Sequence, residues 1–215
     1  MKYCIRTTGE RDLASFSSIE YTPLFDYEHK PVQSMIAQLK EISNEDCVFM
    51  EDDIILCSNF EDKIMTVIRK NPTKIINFYY QPLQYQISKE ITGSQFLYNQ
   101  CVYYPKGVAY KIACEMEKLL NEGFKFDQYD RLQAKAMERL GLTFYSYRPM
   151  LVQHKGIKSL LKNHFLNSFR TIYFIDDLDE LGLRYDDCKS MLEYTYRKMK
   201  GIVPNYVPPR VNKKK

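Results

Sequence analysis

Three consecutive carboxylates, Glu51-Asp52-Asp53, stand between the apolar runs Cys47-Val48-Phe49-Met50 and Ile54-Ile55-Leu56. A chain that buries both runs must compensate the acids between them, because an unpartnered charge beside a core is costly. A divalent cation provides such compensation, since hard carboxylate oxygens suit Mg²⁺ or Mn²⁺. A strand that delivers acids to its carboxyl end also matches the place where open α/β sheets bind nucleotides. The triplet therefore points to a metal-assisted nucleotide-sugar site at a strand end. It leaves one plain alternative open: solvated acids at the N-terminus of the next helix.

The surrounding periodicity gives the fold class. Lys2 to Thr7 reads as a first strand and Ser17 to Tyr21 as a short second one. Pro31 opens a helix whose apolar face is Val32, Met35, Ile36 and Leu39. Cys47 to Met50 is a buried strand. Phe60, Ile64, Val67 and Ile68 line another helix that stops near Asn71-Pro72, and Lys74 to Tyr80 is a strand. Alternating strands and helices predict an α/β fold, a single domain with a central, mainly parallel sheet flanked by helices. Further on, Gln81 to Gly93 reads as a loop, Gln100 to Tyr104 as a strand and Ala109 to Leu120 as a helix. Arg131 to Leu140 is a helix and Thr143 to Tyr147 a strand, after which Pro149 to His154 leads into a loop. Met191 to Met199 is helical in pattern, and residues 203–215 form an extended basic tail.

Bulk properties narrow the function classes. The chain has 215 residues with 45% hydrophobic and 27% charged, ordinary globular usage. No apolar run is long enough to span a bilayer. The first residues lack a signal-peptide pattern, so a cytoplasmic protein or a piece of a longer one is expected. The net charge is +4, and Arg210, Lys213, Lys214 and Lys215 account for all of it. The rest of the chain is formally neutral, which argues against a nucleic-acid partner. Six cysteines show no Cys-x-x-Cys pair, so zinc-ribbon spacing is absent and buried reduced thiols are expected.

Other chemistry-bearing residues have two readings each. His154 is either a structural hydrogen-bonding group or a metal ligand. It stands beside Gly156, which lets backbone approach a ligand, and beside Lys155 and Lys158, which could neutralise a diphosphate. Asp127 and Asp130 flank a helix start, so capping competes with catalysis. Asp176-Asp177, with Asp179 and Glu180, reads as a capping or surface cluster. His29 and His164 have no partnered motif. Some of the 18 tyrosines could line a sugar groove.

Taken in order, these elements resemble glycosyltransferases of the GT-A fold over roughly residues 1–165. In that family a nucleotide-binding half ends in an Asp-x-Asp-type motif, often Glu-Asp-Asp, and Phe49-Met50-Glu51-Asp52-Asp53-Ile54 looks like that element. The Tyr103-Tyr104-Pro105-Lys106-Gly107 turn and the helix after it look like the acceptor-side segment of bacterial lipopolysaccharide glycosyltransferases. Phe126 to Leu132 is similar to the family's acidic segment, and Pro149 to Ser159 to its closing Pro…His-x-Gly loop. The chain is also similar to chlorella-virus capsid-glycan transferases. It departs from the pattern in having only 50 residues before the triplet, fewer than GT-A enzymes commonly have.

The resemblance implies a catalytic domain over residues 1–202. It would have a nucleotide-binding half (1–80), an acceptor-side half (81–165) and a C-terminal helical segment (166–202). It implies Mn²⁺ or Mg²⁺ held by Asp53 and His154. Thr7, Thr8, Arg11, Glu51, Asp52, Lys155 and Lys158 would bind the nucleotide-sugar. Asp52, Asp127 and Asp130 would be the catalytic candidates. The expected partners are a UDP-sugar donor and a glycan or glycoprotein acceptor. Two other classes stay open: a metal-dependent nucleotidyl- or phosphoryl-transfer enzyme, and a non-catalytic carbohydrate-binding domain.

Overall fold

Each residue of Cys47 to Met50 is fully buried, because the strand they form is covered on both faces. The computed structural model of the protein describes residues 1–80, 88–126, 128–155 and 174–180. Seven strands build its main sheet: β1 (Lys2–Thr7), β2 (Thr22–Phe25), β3 (Cys47–Glu51), β5 (Ile75–Asn77), β6 (Lys89–Thr92), β7 (Cys101–Tyr104) and β8 (Thr143–Ser146). Their spatial order is β2-β1-β3-β7-β5-β8-β6. A separate ribbon pairs β4 (Ile54–Leu56) with β9 (Val152–His154).

The fold is mixed α/β. Five strands run one way, while β7 and β6 oppose them. Because β7 is inserted antiparallel beside β3, its amino end lies at β3's carboxyl end. Residues just before β7 thereby join the site.

Alternation along β1 shows how the two faces are filled. Tyr3 and Ile5 pack with helix α2 (Phe60–Lys70), which contributes Phe60, Ile64, Val67 and Ile68. Cys4 points the other way, into a layer made by α1 (Pro31–Glu41), α3 (Val108–Asn121) and α4 (Tyr129–Arg139). Both α1 and α2 bury the faces that the sequence spacing predicts. Helix α2 also carries Glu61 and Asp62 in its first turn and Arg69 and Lys70 in its last, the order that suits the helix dipole. A short helix, α5 (Ile175–Glu180), packs Leu178 onto the α2 side.

Three local expectations are corrected. The second strand lies at Thr22–Phe25 instead of Ser17 to Tyr21, because parallel register pairs Cys4 with Thr22. Pro23 is tolerated there since β2 is an edge strand. Lys89–Thr92, read as loop, is an edge strand that buries Ile91 alone of its four residues, so its apolar signal is thin. Val152–His154, read as leading into a loop, is strand β9, paired with Ile54–Leu56. Asp176 and Asp177 stand in the first turn of α5, where acids suit the helix dipole as expected. Asp176 accepts hydrogen bonds from Ser58 N–H (2.7 Å) and Ser58 Oγ (2.9 Å), just before α2.

Cys4, Cys47, Cys57 and Cys101 are buried thiols and Cys114 is half-buried. No helix among the described residues is long and apolar enough to cross a membrane. The expectations for residues 81–87, Asp127, the Gly156 to Ser159 loop, His164, the helix from Met191 to Met199 and the tail lie outside the described residues.

Candidate functional site

Glu51 ends β3, and Asp52-Asp53 form the turn into β4. No helix follows, which removes the reading of solvated acids at a helix N-terminus. Asp52 is 4% exposed. Its Oδ2 accepts a hydrogen bond from Thr7 Oγ1 at 2.7 Å, and the Gly9 N–H donates to that same hydroxyl at 3.0 Å. Thus the carboxyl end of β1 and the loop after it grip the acid at the carboxyl end of β3.

Arg11 supplies the counter-charge. Its Nη1 lies 2.6 Å from Asp52 Oδ1 and 3.0 Å from Asp53 Oδ2. The β4–β9 ribbon delivers the next partner. Ile54 pairs with His154 across the ribbon, which sets His154 Nε2 3.4 Å from Asp53 Oδ2. Burial pushes the Asp53 carboxyl up. His154 and Arg11 together more than offset that, so it is held below the usual carboxylate range. Among the described residues, no donor reaches the buried oxygen Asp53 Oδ1.

That orphaned oxygen and the neighbouring imidazole are the features to set against the expected metal. Among the described residues, no group of three or more His, Cys, Asp or Glu side chains is arranged to hold an ion. Asp53 and His154 offer two ligands of suitable type. Mg²⁺ is often held by one or two carboxylates, with substrate phosphates and water completing its shell. Asp53 and His154 would give such an ion one carboxylate and one imidazole, with Arg11 already 3.0 Å from Asp53 Oδ2, so phosphates and water would have to supply most of its shell.

Glu51 belongs to a second cluster behind the turn. Tyr129 Oη donates to its Oε1, and Gln100 Nε2 donates to its Oε2 at 3.3 Å. Arg6, in β1, stands 3.9 Å from Glu51 Oε1 and pairs with Asp26 Oδ2 at 3.1 Å. Its guanidinium lies over the Tyr129 ring, 4.6 Å from the centroid. Burial, aided by the charge of Asp53, pushes the Glu51 carboxyl up to about 7. Asp130, in the first turn of α4, is also raised by burial, against the pull of backbone N–H groups of Asp130 and Tyr98.

The Glu51 shift makes a pH prediction. A carboxyl whose folded-state pKa is raised contributes stability below its ordinary pKa, and loses it as pH rises through the folded one. Here that window runs from 4.5 to about 7. In chelator, the wild type should lose up to about 3 kcal/mol more than Glu51→Gln between those limits. Urea denaturation across pH measures this, and parallel curves for the two proteins would show that Glu51 ionises normally.

Lys155 follows β9 and clamps the acidic turn through its backbone. Its N–H donates to Asp53 O at 2.7 Å, and its Nζ to Asp52 O at 2.9 Å and Asp12 O at 3.3 Å. Burial lowers the pKa of its ammonium, against the pull of Asp52 and Asp53. Beside the loop after β1, the Phe25 and Tyr27 rings stack 4.7 Å apart and 6° from parallel, 45% and 68% exposed. They lie over Gly9, where an added Cβ would be within 3.5 Å of the Tyr27 ring.

The structure brings together Thr7, Arg11, Glu51, Asp52, Asp53, His154 and Lys155 of the expected set, with Asp130 beside Glu51. Thr8 adjoins them, its Oγ1 buried and without a hydrogen-bond partner among the described residues. Asp127 and Lys158 are outside the described residues. Sequence reasoning missed Arg6, Asp26, Gln100 and the hydroxyl of Tyr129. For Arg6 a signal existed: a cation within a strand covered on both faces needs a buried acid.

Neither a protein-family model nor a curated protein matches the sequence. Among solved structures, A197 from STIV is similar at 14% identity and a TM-score of 0.44, covering 71% of this chain and 84% of that one. A likeness at that score carries no argument about the site.

Proposed function

We propose that the chain is a metal-dependent glycosyltransferase of the GT-A type, moving a sugar from a UDP-sugar to a glycan or protein-linked glycan. The observation that supports this most is the meeting of Asp53 and His154 at 3.4 Å, at the carboxyl end of a central strand. These residues are far apart in sequence, and they are the two singled out as metal ligands. The buried lone pair on Asp53 Oδ1 gives a cation a reason to enter.

Asp53 and His154 would hold Mn²⁺ or Mg²⁺, and when bound the ion neutralises charge that develops on the departing nucleoside diphosphate. Every other role belongs to side chains of this chain. Thr7 fixes Asp52, and Asp52 in turn fixes Arg11, so a cationic group stands ready beside the diphosphate. The exposed Phe25–Tyr27 stack offers a flat face to a ring of the donor. An inverting transfer needs a base for the acceptor hydroxyl. Asp130 and Glu51, both raised by burial, suit proton transfer nearer neutrality than an ordinary carboxylate.

The test is a calorimetric titration of UDP into the protein with and without Mn²⁺. Tight binding is expected only with the metal. Absence of binding in both conditions would turn the search to other donor nucleotides and then away from glycosyl transfer. Release of pyrophosphate instead of UDP on turnover would identify nucleotidyl transfer.

A further inference from the structure

We propose that the outer face of α4 carries a second ligand site, a cleft that takes one neutral sugar ring of a saccharide. The cleft shares no residue with the Asp53–His154 site. Calling that saccharide the acceptor rests on the glycosyltransferase reading above. The preference of the cleft for a sugar does not.

Two local features of the sequence build it. Arg131, Ala134, Lys135 and Glu138 recur at helical spacing and form one stripe of α4. Opposite them stands the short turn Gly93–Gln95. A Cβ on Gly93 would lie 2.5 Å from Met137 Cβ and 2.7 Å from Leu142 O, so glycine is what lets the turn come so close to α4. Turn and helix border a space of about 280 Å³, just below the range of drug-sized pockets and suited to a single ring. Ala134 keeps that space open, since a longer side chain there would project into it.

The floor is apolar, made by half-buried Leu97 and Phe126. Phe126 lies near-parallel to Phe124, with ring centroids 6.3 Å apart and planes at 15°. The end of α3 places this ring pair. Gly123, at a φ of 89°, donates its N–H to Leu120 O, and the Phe124 N–H follows to Leu119 O. Phe124 is nevertheless 43% exposed. A pyranose has the matching two-sidedness, a C–H face for the rings and hydroxyl edges for the polar rim.

The charge of the rim decides between ligand classes. Along α4, Arg131 and Lys135 are balanced by Asp130 and Glu138. That balance disfavours a phosphate, and a wholly apolar ligand would desolvate these groups without return. Lys135 and Glu138 satisfy each other at 2.6 Å. Arg131 is exposed and forms no ion pair within 4 Å among the described residues, so its planar set of donors can serve hydroxyl oxygens. The cleft also adjoins a candidate base. Leu97 lines it, the N–H of the next residue, Tyr98, holds Asp130, and Arg131 follows Asp130.

The test is proton–nitrogen NMR of the protein titrated with the neutral methyl pyranosides of glucose, galactose, mannose, xylose and N-acetylglucosamine. At least one should shift the amides of Gly93–Leu97 and Arg131–Glu138 together with the Arg131 Nε–H. Arg131→Gln should weaken that binding about 10-fold, the scale of a hydrogen bond from a charged donor. Ala134→Leu should abolish it by filling the cleft. Shifts confined to other surfaces, binding that survives Ala134→Leu, or silence from every glycoside overturns the cleft. Where UDP still binds with Mn²⁺ in those cases, the donor reading stands without it. If a glycoside binds in the cleft while UDP never binds, the saccharide site stands and its acceptor role falls. Should Ala134→Leu fail to fold, Arg131→Gln, at an exposed position, decides: an unchanged affinity overturns the proposal.

Discussion

Asp53→Ala should cut UDP release from a competent UDP-sugar by about 10³-fold or more and abolish the metal dependence of UDP binding. Asp53 is the residue on which the site converges. It receives Arg11 from the loop after β1, adjoins Asp52 held by Thr7, and meets His154 from the ribbon. A cation that stabilises a leaving diphosphate is worth several kcal/mol in the transition state, and about 1.4 kcal/mol is a factor of ten. Among the described residues, no neighbour substitutes for the lost ligand. Asp52 is already committed to Thr7 and Arg11, and His154 would be left as the one remaining ligand.

The fold should survive this change. Asp53 sits in a turn, and its side chain anchors neither the main sheet nor the helices. Arg11 keeps Asp52 as a partner, so no buried charge is stranded. The isosteric Asp53→Asn provides the control. Both variants should melt cooperatively, and both should fail to bind UDP in a Mn²⁺-dependent way. A fully active Asp53→Ala would remove the metal reading and the glycosyltransferase proposal with it.

The parts of the molecule that the sequence made legible are those with strong periodicity or strong punctuation. The β3 run is apolar throughout because both its faces are covered, and α1, α2 and α3 carry complete apolar faces. His154 was found because the Pro…His-x-Gly order marked it, although its strand was not recognised. Three residues, Val-Gln-His, are too few to show a period of two, and their pairing with β4 is a tertiary fact. The partial antiparallel character was equally hidden, since nothing in Cys101–Tyr104 records which way the strand runs beside β3. The cluster behind Glu51 went unread for a related reason. Arg6, Asp26, Gln100 and Tyr129 come from four separated segments, and only the sheet order brings them to one end. The acidic triplet announced a need for counter-charge without naming Arg6 or Arg11 as its source.

That unread cluster carries the second large expectation. Arg6→Met should destabilise the protein by about 3–5 kcal/mol, measured by urea denaturation at neutral pH. The Arg6 side chain is 11% exposed and its acids Asp26 and Glu51 are 5% and 12% exposed, so water does little to screen their loss. Methionine fills much of the volume but leaves two buried carboxylates without their cation. It also forfeits the contact with the Tyr129 ring, a further ~1–2 kcal/mol for a desolvated pair. Lysine should rescue little, because a point charge cannot stack on the ring and reach both acids at once. The defect should be smaller at pH 5 than at pH 8. A protonated Glu51 needs no cation, and its carboxyl, already raised to about 7, rises further once Arg6 is gone. Adding Glu51→Gln to Arg6→Met should therefore recover stability at pH 8 and change little at pH 5. A loss below ~1 kcal/mol at both pH values would mean that the strand accommodates its acids without Arg6. Glu51 would then owe its place beside Asp52-Asp53 to Tyr129 and Gln100 alone.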